Sequence, residues 1–169
     1  MTLRQRLVAA VPHGMALFMS AVFLDSLRFK FTDHPKTQVI FGRLDGWTSE
    51  LGLPGLFAHT GLLSQYVVGS IELLASTLLV AGILPRFRHL QAGGALAGLL
   101  VMAGAVSFHL FTPLGVDPNH DGGGLFVAAC INLAAALLLL TVFRRREFAV
   151  LVGRVVAIFA PLKPAAARP

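Results

Sequence analysis

The sequence predicts an all-α membrane protein: a transmembrane four-helix bundle with an amphipathic helix in its first outer loop and a short C-terminal apolar helix. Composition is the first reason, because the 169 residues are 56% hydrophobic and only 13% charged, with a mean hydropathy of +0.76. A soluble domain has about 25% charged residues. The second reason is that the apolar residues fall into four long windows, and about 20 residues cross a hydrocarbon core of about 30 Å.

The four windows lie at residues 7–27, 61–84, 90–111 and 124–143, within a predicted transmembrane domain of residues 1–143. The second window holds one charged residue, Glu72, and the third and fourth hold none. Because a backbone in lipid must satisfy its own hydrogen bonds, each window is predicted to be a helix. A soluble bundle would need a polar face on every helix, and the last two windows lack one.

The distribution of basic residues predicts the orientation. Of the 14 Lys and Arg residues, ten lie in residues 1–6, 85–89 and 144–169. The positive-inside rule places such segments in the cytoplasm, so both termini are predicted to be cytoplasmic. Residues 144–169 then form a basic C-terminal segment, and roughly 28–60 and 112–123 form the outer loops.

Two shorter helices are predicted outside the windows. In the first outer loop Ile40, Leu44, Trp47 and Leu51 recur at helical spacing, which is typical of an amphipathic helix on the membrane surface. A cap packed on the bundle is the alternative. Residues 147–160 are apolar but short, so we expect a surface-lying or partner-bound helix. A fifth span, which would place the C-terminus outside, remains open.

Glu72 is the candidate catalytic residue. It lies eleven residues into its window, about 17 Å deep by helical rise and close to the bilayer midplane. A carboxyl there costs roughly 2.5 to 3.5 kcal/mol, so it should face the bundle or a cavity. Gln65, Gly69 and Ser76 share its face at helical spacing, and Gln65 is a candidate for cofactor binding. We expect a proton relay or a hydrogen-bonding group for a polar ligand head, with a structural bond between helices as the alternative.

Three further polar residues are candidates for cofactor binding. His109 lies near the outer end of the third window, on the face of Gly94 and Gly98, whose spacing permits close helix packing. His59 stands at similar depth before the second helix. Such histidines could bind a quinone, a metal or, with less support, haem b. Asn132 of the fourth window could donate to the buried carboxyl. Satisfied polar groups at the membrane edge are the alternative for the histidines.

Several other classes of site are not supported. The loop at 117–124 holds His120 and two carboxylates, but a turn that caps the fourth helix explains it better than a metal site. The single cysteine, Cys130, excludes an intrachain disulfide and a Cys-x-x-Cys centre. The net charge is +6, yet no basic stripe with interleaved aromatics is present, so no nucleic-acid partner is predicted.

Short motifs resemble the DoxX-like family of small four-helix membrane proteins. They are 26–31 (SLRFKF), 52–54 (GLP) and 68–73 (VGSIEL), followed by Gly82 and Arg86, and the resemblance spans about residues 8–143. It implies a membrane-embedded redox accessory role, because some DoxX-like members are subunits of a thiosulfate:quinone oxidoreductase and others are linked to thiol and oxidative-stress handling. It also implies Glu72 and Arg86 as a recurring acid and base. The first outer loop is longer than the family pattern, and one cysteine cannot perform dithiol chemistry alone.

The leading hypothesis is a redox-associated integral membrane subunit that offers a quinone or lipid-like ligand a site near the outer leaflet. If enzymatic, it would be one subunit of a membrane oxidoreductase. A structural or assembly subunit of a larger membrane complex and a small proton-coupled transporter are the alternatives. We expect the cytoplasmic membrane of a bacterium, with the lipid bilayer and a protein partner or second copy as partners.

Overall fold

The computed structural model describes residues 2–159, and all regular structure in that range is helical. A 3₁₀ turn (Pro85–Phe87) leads into α4, and a π-helical turn (Leu139–Phe143) continues α5. The six α-helices of this range are α1 (Leu3–Lys30), α2 (Pro35–Glu50), α3 (Gln65–Ala81), α4 (Arg88–Phe111), α5 (Gly124–Leu138) and α6 (Arg145–Phe159).

Within residues 2–159, three helical stretches are long and apolar enough to cross a membrane: Leu3–Lys30, Pro85–Phe111 and Gly124–Phe143. Many of their large apolar side chains, such as Leu17, Phe18 and Leu100, are exposed on the surface of the bundle, where lipid would cover them. The prediction of an all-helical fold is thereby confirmed, and its long apolar helices are compatible with a membrane bundle. The remaining bundle helix, α3, is apolar but has 17 residues, which is about 26 Å at the rise of an α-helix.

The bundle is held together by small side chains at the contacts between antiparallel neighbours. α3 packs against both α1 and α4, and α4 packs against α5. Ala75, Ala92 and Ala95 are fully buried where these helices meet. A Cβ built on Gly94 would lie 2.7 Å from the carbonyl oxygen of Ala75, so the α3–α4 approach requires glycine there.

The two ends of the bundle differ in character. The α2 end holds α2 and the connections 31–34, 51–64 and 112–123. The basic end holds residues 2–6, the turn 82–87 and the junction between α5 and α6 at Arg144. Acidic side chains are sparse at the basic end: within residues 2–159, Glu147 is the carboxylate that accompanies its arginines.

The second window, predicted as residues 61–84, is longer than the helix that forms. α3 begins at Gln65 because the Ser64 side chain accepts a hydrogen bond from the backbone N–H of Val67 and caps the helix. The preceding residues form an irregular loop instead. A Cβ on Gly61 would lie 2.4 Å from the carbonyl oxygen of Leu56, so the chain doubles back closely at this glycine.

The shorter helices also have defined surroundings. α2 begins at Pro35, whose fixed φ suits the first helical position, and His34 caps it by accepting from the Lys36 N–H. Leu44 of α2 is buried with Phe57 and Leu114 in a small second core, so α2 packs as a cap on this end. α6 has no buried residue within Arg145–Phe159. Residue 160 of the predicted apolar stretch and the rest of the tail lie outside the described residues.

Candidate functional site: a polar cluster at the α2 end

Glu72 of α3 forms a buried ion pair with Lys30, the last residue of α1. The Lys30 Nζ lies 3.0 Å from Glu72 Oε2 and 3.1 Å from Oε1, and the two side chains are 14% and 3% exposed. Ser26, one turn before Lys30, donates to Oε2 at 2.6 Å and accepts from the Lys30 ammonium at 2.8 Å. The carboxylate is therefore held by two charge-assisted hydrogen bonds, which are the stronger kind.

The depth of Glu72 differs from the sequence expectation. Because α3 begins at Gln65 rather than at residue 61, Glu72 lies seven residues beyond the first residue of the helix. That distance is about 10 Å by helical rise, compared with the expected 17 Å. At this position Glu72 is in direct contact with Lys30, the last residue of α1.

Gln65 links this ion pair to a second group of polar side chains. Its amide nitrogen donates to the Lys30 carbonyl oxygen at 2.8 Å and to Asp33 Oδ1 at 2.5 Å. Its amide oxygen accepts from Gln38 of α2 at 2.9 Å. Gln65 is 3% exposed and so is both buried and well satisfied, which makes it the junction of α1, α2 and α3.

Asp33 is the shared hydrogen-bond acceptor in the exposed part of the cluster. It accepts from the Tyr66 hydroxyl at 2.6 Å and lies 3.5 Å from His59 Nε2. The Tyr66 oxygen is also 2.9 Å from His59 Nε2. Because Tyr66 has one proton, which Asp33 accepts, we assign the proton between the two rings to His59 Nε2. A continuous hydrogen-bonded chain thus runs from His59 through Tyr66 to the carboxylate.

Asp33 has two uncommon features, a lowered side-chain pKa and a left-handed backbone conformation. The Tyr66 hydroxyl, followed by the Gln65 amide and the neighbouring His59, holds the pKa of this carboxyl below its usual range. Its backbone lies in the left-handed region at φ 51°, which aspartate tolerates better than most residues. An ionised acceptor in a left-handed turn is thus fixed at the α2 end, and such conformations cluster at functional sites.

A small cleft lies beside these groups. It has a volume of about 110 Å³ and is lined mainly by polar and aromatic residues, together with two small ones: Gln38, Phe41, Gly42, Asp45, Phe57, Ala58, His59 and Gln65. An apolar cavity of about 150 Å³ holds a single benzene ring, so this smaller, partly open cleft suits a few waters or the edge of a ring rather than a drug-sized molecule. Asp45 accepts from the Phe57 N–H at 3.1 Å and so fixes the loop wall of the cleft to α2.

A shallow apolar groove begins where the cluster ends. It has a volume of about 360 Å³ and runs along the exposed face of α3 past Tyr66, Val67, Ser70, Ile71 and Leu74. Tyr66 therefore stands between the polar chain to His59 and an apolar strip on the side of the bundle that lipid would cover.

His109 has a different environment from the other candidates. It is 4% exposed, its Nδ1 lies 2.6 Å from the Gly115 carbonyl oxygen, and its ring packs edge-on against Phe126 at 5.5 Å. Since a carbonyl can only accept, Nδ1 carries the proton. This bond fixes the 112–123 connection to the end of α4. His59 and His109 share no partner in the described structure.

Asn132 is also separate from the ion pair. It is fully buried on α5, and neither its amide nitrogen nor its oxygen has a hydrogen-bond partner among residues 2–159. The expected donation to Glu72 is not formed, and the partners of that carboxylate are Ser26 and Lys30. The structure therefore brings together Glu72, Gln65 and His59 and leaves His109 and Asn132 outside their cluster.

Sequence reasoning did not assign Lys30, Asp33 or Tyr66 to a site. One local signal was present: Ser26 and Lys30 are four residues apart, which places them on the same face of α1. For Asp33 and Tyr66 no such signal exists, because they meet only when the turn after α1 packs against the first turn of α3.

The fold and the cluster together define an all-α membrane protein with a buried ion pair and a polar cleft at one end. No group of three or more His, Cys, Asp or Glu side chains within residues 2–159 is arranged to hold a metal ion. In comparisons with protein families, curated proteins and solved structures, nothing matches this chain. The resemblance to the DoxX-like family therefore stays a prediction based on its short motifs.

Proposed function

We propose that the chain is a redox-associated integral membrane subunit that binds the head of a quinone or a similar amphiphile at its α2 end. The observation that supports this proposal is the adjacency of three features: a small polar cleft, the hydrogen-bonded chain from His59 to Asp33, and the apolar groove on α3. Ligand sites of this kind combine apolar walls with a few placed polar groups.

The polar groups match the chemistry of a quinone ring. Its two oxygens accept hydrogen bonds when oxidised and donate them when reduced, so a site for both states needs donors and acceptors. His59 supplies an imidazole at the cleft and Gln65 the second lone pair of its amide oxygen, while Phe41 and Phe57 supply flat apolar walls. The Asp33 carboxylate at the end of the hydrogen-bonded chain is an acceptor for a proton released at His59.

The groove gives the tail of such a ligand a place to lie. Val67, Ile71 and Leu74 are 39%, 37% and 55% exposed along the same side of α3. A head bound beside Tyr66 would leave its tail against this strip and in contact with the surrounding lipid. In this proposal α1, α3, α4 and α5 all span the bilayer, and the α2 end faces the outer leaflet, in accordance with the positive-inside rule.

The redox part of the proposal assigns electron transfer to a partner subunit. The sequence holds one cysteine, so no dithiol pair can form within the chain. This protein would bind the quinone ring, exclude water from it and accept or donate the protons of its oxygens. The Lys30–Glu72 pair would set the electrostatic environment beneath the cleft, linked to it through Gln65.

Quinone binding to the purified full chain tests the proposal. A short-chain ubiquinone analogue is titrated in detergent, and binding is measured by quenching of Trp47, the only tryptophan and a residue of α2. We expect His59→Gln and Tyr66→Phe each to weaken binding by about 2- to 10-fold, the range for one lost hydrogen bond. His89→Gln, an exposed histidine at the basic end, is the matched control and should bind as the wild type does.

Identical affinity of all four proteins for the analogue would remove the cluster from the proposed site. Extraction of protein purified from its native membrane provides an independent result. Bound quinone in near-stoichiometric amount supports the proposal, whereas an empty bundle that copurifies with another protein favours the assembly alternative, for which the exposed apolar residues of α6 offer a surface.

A further inference from the structure

The basic end contains a buried arginine. Arg144 is 6% exposed, although it directly follows the π-helical turn that ends α5. Its backbone N–H donates to the Leu139 carbonyl oxygen at 2.7 Å, five residues back, which is the π-helical bond. This widened turn directs the guanidinium into the bundle rather than outward. Such π-turns occur frequently at functional sites.

The Arg144 guanidinium uses only part of its hydrogen-bonding capacity on the protein. Its Nε donates to the Gln91 side-chain oxygen at 2.7 Å, and its Nη1 donates to the Phe143 carbonyl oxygen at 3.2 Å. Arginine has five N–H donors in a planar fork. The remaining donors face no acceptor among residues 2–159 that meets hydrogen-bond geometry.

Gln91 provides a second observation at the same place. It is fully buried on α4, and its amide nitrogen has no hydrogen-bond partner in the described part of the chain. Because Arg144 can only donate, the Gln91 oxygen must face it, which fixes the nitrogen as the free donor. Buried donors are normally satisfied, so an unpaired one beside an arginine indicates an acceptor that the protein itself does not supply.

The charges around Arg144 point to the same conclusion. Within residues 2–159 no carboxylate lies within 4.0 Å of its guanidinium. The nearby charges of Glu147 and Arg88 act on Arg144 with opposite signs. A buried cation with no carboxylate in contact is costly, so the free donors of Arg144 and Gln91 favour an anion from outside the chain.

We propose that Arg144 and Gln91 form a phosphate-binding site at the basic end of the bundle. A phosphate group offers several acceptor oxygens and matches the guanidinium fork. It can come from the head of an anionic phospholipid or from inorganic phosphate. The lipid source fits the position of the site at the end of three candidate spans, where basic pockets between helices bind such heads.

Native mass spectrometry of the full chain in detergent tests this proposal. Phosphatidylglycerol is titrated into the wild type, Arg144→Met and Arg145→Met. Arg145 is exposed and adjacent, so its loss removes the same charge without touching the site. We expect Arg145→Met to retain one tightly bound lipid and Arg144→Met to bind about tenfold more weakly or worse, as for the loss of bonds to a charged group.

Inorganic phosphate distinguishes the two sources. If it raises the melting temperature of the wild type and displaces the lipid, free phosphate is a ligand; if it does neither while one lipid stays bound, the lipid head is the ligand. Should Arg144→Met fail to fold, Arg144→Lys and Gln91→Met serve instead and are expected to weaken binding by a similar factor. Equal binding by the site variants and Arg145→Met, or no binding of either ligand to the wild type, would overturn the proposal.

Discussion

Lys30 and Glu72 form their ion pair where side-chain exposure is 14% and 3%, so each charge depends on the other. Removing one partner of a buried pair leaves an uncompensated charge, which costs about 3–5 kcal/mol. Removing both replaces the pair by neutral groups of similar volume, which is often tolerated. Glu72→Gln is therefore expected to cost stability, because it leaves the Lys30 charge without its partner.

A double-mutant cycle measures this dependence. We expect Lys30→Met and Glu72→Gln each to lower the apparent melting temperature of the purified protein, and the double variant to recover part of the loss. A coupling free energy of about 1–3 kcal/mol is the expected size for residues in direct contact. Strict additivity of the two single effects would show that the pair contributes nothing beyond its separate side chains.

The residues of the cluster differ in how far the sequence could reveal them. Glu72 and Gln65 were found because a polar side chain in an apolar window is costly unless it faces inward, and the structure buries both. Asp33 and Tyr66 lie in or next to a loop, where polar residues are ordinary. Their contact depends on tertiary packing that no local pattern encodes.

At the scale of helices, the α3–α4 contact shows how one glycine can set a spacing. A Cβ on Gly94 would lie 2.7 Å from the Ala75 carbonyl oxygen and 2.8 Å from the Leu79 nitrogen, and both are backbone atoms. On the adjacent Gly93 a Cβ would meet only flexible side-chain atoms at 3.9 Å. The two glycines therefore have the same helix propensity and opposite steric surroundings.

Alanine substitutions at these two positions test the contact. Gly94→Ala is expected to destabilise the protein, because overpacking costs about 1–3 kcal/mol and outweighs the gain in helix propensity. Gly93→Ala is expected to be neutral or to stabilise by up to about 1 kcal/mol. Thermal unfolding of both variants in one detergent gives the comparison. An equal loss in both would mean that backbone freedom, rather than the close approach of α3 and α4, decides the effect.

The helix boundaries were predicted well where the length of the apolar run determines them and less well where a capping residue determines them. The spans at 90–111 and 124–143 agree with α4 and with α5 plus its π-turn. The second window placed the start of α3 too early, because residues 61–64 are mostly apolar and therefore resemble helix. In the structure the chain turns tightly at Gly61, and the Ser64 side chain caps the helix that begins after it. The π-turn that directs Arg144 inward has no sequence signature among leucines.

The whole molecule has an asymmetric distribution of charge. The α2 end combines both signs in ion pairs, for example Lys36 with Asp121 at 2.8 Å between α2 and the 112–123 connection. The basic end has arginines from α1, the 82–87 turn and the start of α6, with Glu147 as its acid within residues 2–159. Translocation disfavours clusters of Lys and Arg, so the proposed orientation follows from this asymmetry rather than from net charge.

Labelling of single cysteines tests that orientation. The native Cys130 is first replaced in Cys130→Ala, which leaves a cysteine-free chain. Thr60→Cys at the α2 end and His89→Cys at the basic end are then introduced, and both positions are exposed. We expect a membrane-impermeant maleimide added to intact cells to label Thr60→Cys, and to label His89→Cys only after lysis, because four spans place these sites on opposite sides. Labelling of both in intact cells would exclude the four-span arrangement, and the reversed pattern would place the proposed quinone cleft at the cytoplasmic leaflet.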